Sequence, residues 1–121
     1  MIISKKIGVS TEYLLKPRKR YLIFELLGYK SVDAKRIERE FKEKLSLLSG
    51  SIGVGLSGLK VVYYDARNGL GIIRFYHLYK KLVLLSLSLI RRIDGNDVVV
   101  IPIKTTGTLR KAREILKKRV D

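Results

Sequence analysis

The sequence predicts an α+β fold: a β-α-β-β-α-β sandwich with an antiparallel sheet and an extra C-terminal helix. Three observations carry that prediction. Segments of strand-like alternation and helical apolar stripes follow one another in that order along the chain. Asn68-Gly69 stands between two apolar runs, a hairpin signal that makes the middle strands antiparallel neighbours. Pro102 lies inside the last strand and confines it to a sheet edge, where this plan places its second and fourth strands.

Each element has its own justification. Residues 1–16 show no clean period and are expected to form a basic N-terminal arm, with a single domain over 17–121 after the break at Pro17. Tyr21–Leu26 reads as a strand, with Leu22, Phe24 and Leu26 on one face and Tyr21, Ile23 and Glu25 on the other. Ser31 is the expected N-cap of the first helix, and Asp33 falls in its favourable first turn. Ala34, Ile37, Phe41, Leu45 and Leu48 then make one stripe at helical spacing, and Lys35, Arg36, Glu38, Arg39, Glu40, Lys42 and Glu43 cover the other side. Gly50 to Gly58 is expected to be a flexible connector. Leu59–Tyr64 and Leu70–Tyr76 are the hairpin strands, joined by Asp65-Ala66-Arg67-Asn68-Gly69. Leu78–Ile90 is long and Leu-rich enough for a second helix, and Asp94-Gly95-Asn96-Asp97 is a turn. Val98–Ile103 is the fourth strand. Thr106-Gly107-Thr108 opens a last helix with Leu109, Ala112, Leu116 and Val120 on its buried side. The chain has no internal repeat. This order is the split βαβ, or ferredoxin-like, plan, which is also the topology of RNA-recognition domains.

Composition narrows the function. The chain has 121 residues and a formal net charge of +15, from 26 Lys+Arg against 11 Asp+Glu. That is well above the magnitude of about 2–8 that keeps a small domain soluble. Such an excess costs self-repulsion unless a polyanion neutralises it, and nucleic acid is a more natural partner than an anionic membrane. The excess gathers at the ends, in Lys5, Lys6, Lys16, Arg18, Lys19 and Arg20, and in Lys104, Arg110, Lys111, Arg113, Lys117, Lys118 and Arg119. With no Cys, disulfides, the usual Cys-type zinc sites and thiol chemistry are excluded. Met1-Ile2-Ile3-Ser4-Lys5-Lys6 opens no apolar signal region, and the longest apolar stretch, Leu82 to Ile90, is too short to span a bilayer. A soluble cytoplasmic protein that binds no membrane is the expectation.

The motifs that look catalytic do not assemble. Gly53-Val54-Gly55-Leu56-Ser57-Gly58 matches G-x-G-x-x-G, but a helix precedes it and a strand follows, the reverse of a dinucleotide site. Gly50 to Ser57 has the P-loop skeleton with Leu56 in place of the phosphate-binding Lys. His77, the sole histidine, reads as a packed or surface residue. Asp65, Asp94 and Asp97 all lie in turns, where Asp is favoured for backbone reasons. A two-metal nuclease needs acids converging on ions about 4 Å apart, and nothing here provides them. No catalytic residue and no bound metal or cofactor is expected on this chain.

The sheet face and the helix ends point to binding. Aligned on the stacking motif of RNA-recognition domains, Asn68 to Phe75 puts Leu70 and Ile72 where aromatics belong, and the first strand offers Ile23. Stacking is worth about 1–3 kcal/mol per base. An open face of Ile23, Leu70 and Ile72 therefore suits a protein interface better than base reading. Leu84 and Leu87, on a helix apolar round more than one side, extend that expected interface unless the chain's own C-terminal helix or arm covers it. The start of the last helix, with Thr106, Thr108, Arg110, Lys111 and Arg113, is suited to phosphate. Arg18, Lys19 and Arg20, the outward Arg74, and Arg91 and Arg92 after the second helix are the further expected RNA contacts.

Four stretches carry a family resemblance: Lys16-Pro17-Arg18-Lys19-Arg20-Tyr21-Leu22, Gly69-Leu70-Gly71-Ile72-Ile73-Arg74, Ser86-Leu87-Ser88-Leu89-Ile90 with Asp94-Gly95, and Thr106-Gly107-Thr108-Leu109-Arg110-Lys111-Ala112. Spread in order over about residues 16–116, they resemble archaeal ribonuclease P protein component 2. The resemblance implies a non-catalytic subunit of the endoribonuclease that removes the 5′ leader of precursor tRNA. It implies chemistry on an RNA subunit carrying Mg²⁺, and partners that include ribonuclease P RNA, protein component 3, other ribonuclease P proteins and precursor tRNA. It further implies self-association within a two-fold heterotetramer formed with component 3. The competing expectations are another ferredoxin-like protein of structured RNA, for example a ribosome-associated one, and a small ferredoxin-like enzyme such as an acylphosphatase.

Overall fold

The computed structural model describes residues 18–120, so the expected arm over 1–16 and the break at Pro17 lie outside the described residues. In chain order the elements are β1 (Lys19–Leu27), α1 (Ala34–Ser57), β2 (Lys60–Asp65), β3 (Leu70–Tyr76), a 3₁₀ turn (His77–Tyr79), α2 (Lys80–Ser88), β4 (Arg92–Ile93), β5 (Asn96–Asp97), β6 (Val99–Thr106) and α3 (Leu109–Val120). The main sheet has the order β2-β3-β1-β6, and every pairing in it is antiparallel. Pro102 therefore lies on an edge strand, opposite Phe24 and beside an irregularity of register at Ile23/Phe24. On the other edge, Val61 N–H donates to Glu38 Oε1 at 2.7 Å, so a side chain of α1 occupies a backbone donor of β2.

Strand alternation divides the core in two. Leu22, Phe24, Leu26, Ile73 and Phe75 face α1 and α2, where they meet Ile37, Phe41, Leu45, Val83 and Leu87. Phe24 anchors this layer, edge-on to Phe41 with centroids 5.3 Å apart and stacked on Tyr64 at 6.1 Å. The opposite face carries Ile23, Leu70 and Ile72, which pack under Ala112 and Leu116 of α3. The sheet is thus covered on both sides. α3 belongs there because its Leu109, Ala112, Ile115 and Leu116 form a stripe that needs an apolar partner. Val120, expected on the same stripe, is half-exposed at the helix end.

The structure corrects two local expectations and refines a third. Asp33, not Ser31, is the N-cap of α1; it is extended and makes no side-chain cap bond, and its carbonyl accepts the N–H groups of Arg36 and Ile37. The glycine-rich run is not a connector: the helix continues to Ser57 across a kink at Gly50, whose φ of 73° suits a residue without Cβ. Gly disfavours a helix interior, but these last two turns or so are held by packing. Val54 lies against the larger core, and buried Ser57 Oγ donates to the Val54 carbonyl and accepts the Leu59 N–H. Finally, the Asp94 turn belongs to a small hairpin of β4 and β5, with positive φ at both Asp94 and Gly95, as a type I′ turn requires.

Candidate nucleic-acid interface

The strand register gathers the strongest part of the predicted site at one end of the sheet. Tyr21 of β1 pairs with Thr106, the last residue of β6, so Arg18, Lys19 and Arg20 lie beside the chain that enters α3. Arg20 Nη1 donates to the Lys19 carbonyl at 3.0 Å, and a Cβ built on Gly107 would stand 3.9 Å from that same nitrogen. Thr108 caps α3: its Oγ1 accepts the Lys111 N–H at 3.2 Å, and its carbonyl accepts the Ala112 N–H. The first N–H groups of a helix have no partner inside it, and they carry its positive dipole end. Here they stand next to the basic start of β1.

Lys104 and Lys60 belong to this end, although the sequence marks Lys104 only as part of the C-terminal charge and does not single out Lys60. Lys104 is exposed opposite Ile23, and it lines a groove with Gly107, Lys111 and Lys118. Lys60 starts β2 opposite Arg74. One row therefore crosses the four strands as Lys60, Arg74, Tyr21 and Thr106, a span of about 14 Å at the usual interstrand spacing. The signal for Lys60 and Lys104 was the register, which only the pairing reveals.

Other predicted residues lie elsewhere or are already engaged. Thr106 is buried and its hydroxyl donates to the Thr108 carbonyl at 2.8 Å, so it completes the turn into α3 and is not a free phosphate ligand. Arg91 and Arg92 are at the opposite end of the sheet, next to the start of β6, and Arg92 Nε is 3.0 Å from Asp97 Oδ1. Arg110 faces Glu114 at 3.6 Å on the exposed side of α3. Arg113 lies one turn along, in a groove with Tyr63, Leu70 and Lys117.

The predicted protein interface also needs correction. Ile23, Leu70 and Ile72 are buried under the chain's own α3, Leu87 is buried in the larger core, and Leu84 is packed against it. Apolar side chains that do reach solvent include Leu78, Leu85 and Leu89 around α2, and Leu47, Ile52 and Leu56 on either side of the kink in α1.

Among the described residues no group of three or more His, Cys, Asp and Glu side chains is placed to hold a metal, and no helix is long and apolar enough to cross a membrane. Asp65 is drawn below its usual carboxylate range, first by the Asn68 amide donating to it at 2.6 Å, then by the backbone N–H groups of Arg67 and Asn68. It orders the hairpin turn. The class that the fold and this end of the sheet define is a small ferredoxin-like sandwich with cations gathered at one sheet end. Residues 20–117 match the Rpp14/Pop5 family, and the chain belongs to it. It is 33% identical over 98 residues to ribonuclease P protein component 2 of Saccharolobus islandicus (strain L.S.2.15 / Lassen #1), covering 81% of this chain and 68% of that protein. It is 32% identical over 102 residues to the protein of the same description from Aeropyrum pernix, covering 80% of each. A chain in a cryo-EM structure of yeast ribonuclease MRP has the same fold, with a TM-score of 0.63 at 16% identity over 87% of this chain and 95% of that one.

Proposed function

We propose that this chain is a protein subunit of ribonuclease P that supports the catalytic RNA in removing the 5′ leader of precursor tRNA. The observation that carries the reading is the cationic end of the sheet in a member of this family: Lys19, Arg20 and Lys104 beside the capped start of α3 with Lys111. Phosphates of a folded RNA docked there meet cations from two strands and a helix, together with the dipole of α3. Such contacts set position and orientation and carry little sequence information. This suits a subunit that holds structured RNA by its backbone. The chain's own residues do no chemistry in this reading. Mg²⁺ belongs to the RNA subunit in this reading.

The partner reading follows the same line. Other ribonuclease P proteins, with component 3 first among them, take the exposed apolar side chains of α2 and of the kinked α1, and the pair self-associates as a two-fold heterotetramer in the cytoplasm. The decisive experiment is reconstitution of precursor-tRNA cleavage with the RNA subunit and the remaining proteins, with and without this chain. Adding it should raise the rate or lower the Mg²⁺ requirement; no change in either overturns the proposal.

A further inference from the structure

One corner of the sheet brings together a guanidinium nitrogen without a partner, an exposed ammonium and a half-buried aromatic ring. Arg74, on the α3 face of β3, is half-buried, and its Nε is shielded from solvent without a hydrogen-bond partner. An N–H left in that state costs free energy, which a shift of the side chain toward an incoming acceptor would recover. Its cross-strand neighbours are Lys60 and Tyr21, and Lys60 is exposed with no acidic partner among the described residues. Arg74, Lys60, Lys42 and the carboxylate of Glu38 line one pocket of about 390 Å³ with Val54, Gly55, Gly58 and Leu59. Lys42 is already held by Glu38 at 3.3 Å, which leaves Arg74 and Lys60 as its available cations.

Two residues along the same face of β3 is Tyr76, half-buried and paired with Lys19. Its ring lies on Gly58: a Cβ there would come within 2.6 Å of a ring carbon. Same-face neighbours on a strand are about 7 Å apart. The backbone positions that carry the ring, the guanidinium and the ammonium are thus about 5–7 Å from one neighbour to the next, comparable with the reach of one nucleotide.

We infer that this corner binds a single unpaired nucleotide of an RNA, its base stacked on Tyr76 and its phosphate held by Arg74 and Lys60. The inference rests on the RNA-binding reading above and adds a ligand class to it. A duplex keeps its base faces inside its own stack and cannot use the ring, whereas a single strand can. An acidic peptide would satisfy the cations but leaves the ring idle.

The test compares a labelled oligoadenylate of about ten nucleotides with an RNA duplex, by fluorescence anisotropy on the full chain. Tyr76→Leu should weaken oligoadenylate binding about tenfold at every salt concentration, with duplex affinity unchanged; Tyr76→Phe should bind as the parent. Arg74→Gln should lower the single-strand salt slope by about 0.7. If folded Tyr76→Leu binds both RNAs as the parent does, or loses both equally, the inference is overturned. So it is if an oligoglutamate peptide displaces the oligoadenylate while Tyr76→Leu has no effect. Should Tyr76→Leu fail to fold, the ring-proton NMR shifts of Tyr76 in the parent decide: they move upfield on saturation with oligoadenylate, and unmoved signals refute stacking. A parent chain that binds neither RNA would instead overturn the RNA-binding reading itself.

Discussion

Replacing Lys19, Arg20, Lys104 and Lys111 together by glutamine removes four cations that the register and the start of α3 place at one end of the sheet. Each phosphate contact contributes about 0.9 to the logarithmic salt slope on a duplex, so the slope should fall by about 3–4. Over the fourfold rise from about 50 to 200 mM salt, that corresponds to about two decades of salt-dependent affinity. The assay is anisotropy of labelled precursor tRNA across that range, with thermal melting as a folding control. None of the four side chains is buried, so the melting temperature should stay within a few degrees. Arg91→Gln with Arg92→Gln is the matched control. These residues lie at the far end of the sheet and Arg92 already faces Asp97, so the slope should change by less than about 1. Equal slopes for the fourfold variant and the parent, or a larger effect from the control pair, would refute the placement of the RNA.

Other consequences concern stability. Gly71→Ala would put a Cβ within 2.4 Å of Phe24 Cζ and 2.9 Å of the Tyr63 carbonyl. Because Phe24 is fully buried between Phe41 and Tyr64, the overpacking should cost about 1–3 kcal/mol, seen as a lower denaturant midpoint. Gly55→Ala meets nothing within 4 Å on an exposed helical turn and should stabilise by about 0.5–1 kcal/mol in the same titration; a loss there would contradict the helix over 51–57. Tyr64 donates to the Lys30 carbonyl at 2.5 Å, and burial, then the charge of Asp65, pushes its phenol up to about 12. Its folded pKa exceeds the unfolded value of about 10, so its contribution is complete below pH ~10 and is lost as pH rises toward 12. Alkaline melting curves should show that loss in the parent and not in Tyr64→Phe.

The sequence made the topology legible through residues with single meanings. Pro102 can sit only on an edge, and Asn68-Gly69 marks one hairpin. It was misleading at residues 51–57, where the low helix propensity of glycine is a local statement and the packing of Val54 and Ser57 is not. For the sheet face, the apolar residues were identified correctly but given the wrong cover. Ile23, Leu70 and Ile72 asked for a partner, and the stripe of Leu109, Ala112 and Leu116 was present to supply it. Matching two unpaired apolar surfaces within one chain would have closed the question. The basic residues were harder, because charge alone carries no address. Arg20 and Lys111 share an end, and Arg91 does not, for reasons of register alone.

The treatment of the two sheet edges has a consequence for how this protein behaves when crowded. A bare strand edge is a template on which a second copy can add, and repetition of that step is the route to fibrils. Here Glu38 occupies a donor on β2 and Pro102 removes one from β6, so neither side offers a full ladder. Each edge is thereby interrupted as a template, which disfavours backbone-to-backbone addition of a second copy. Association is left to side chains, which can be matched to one partner.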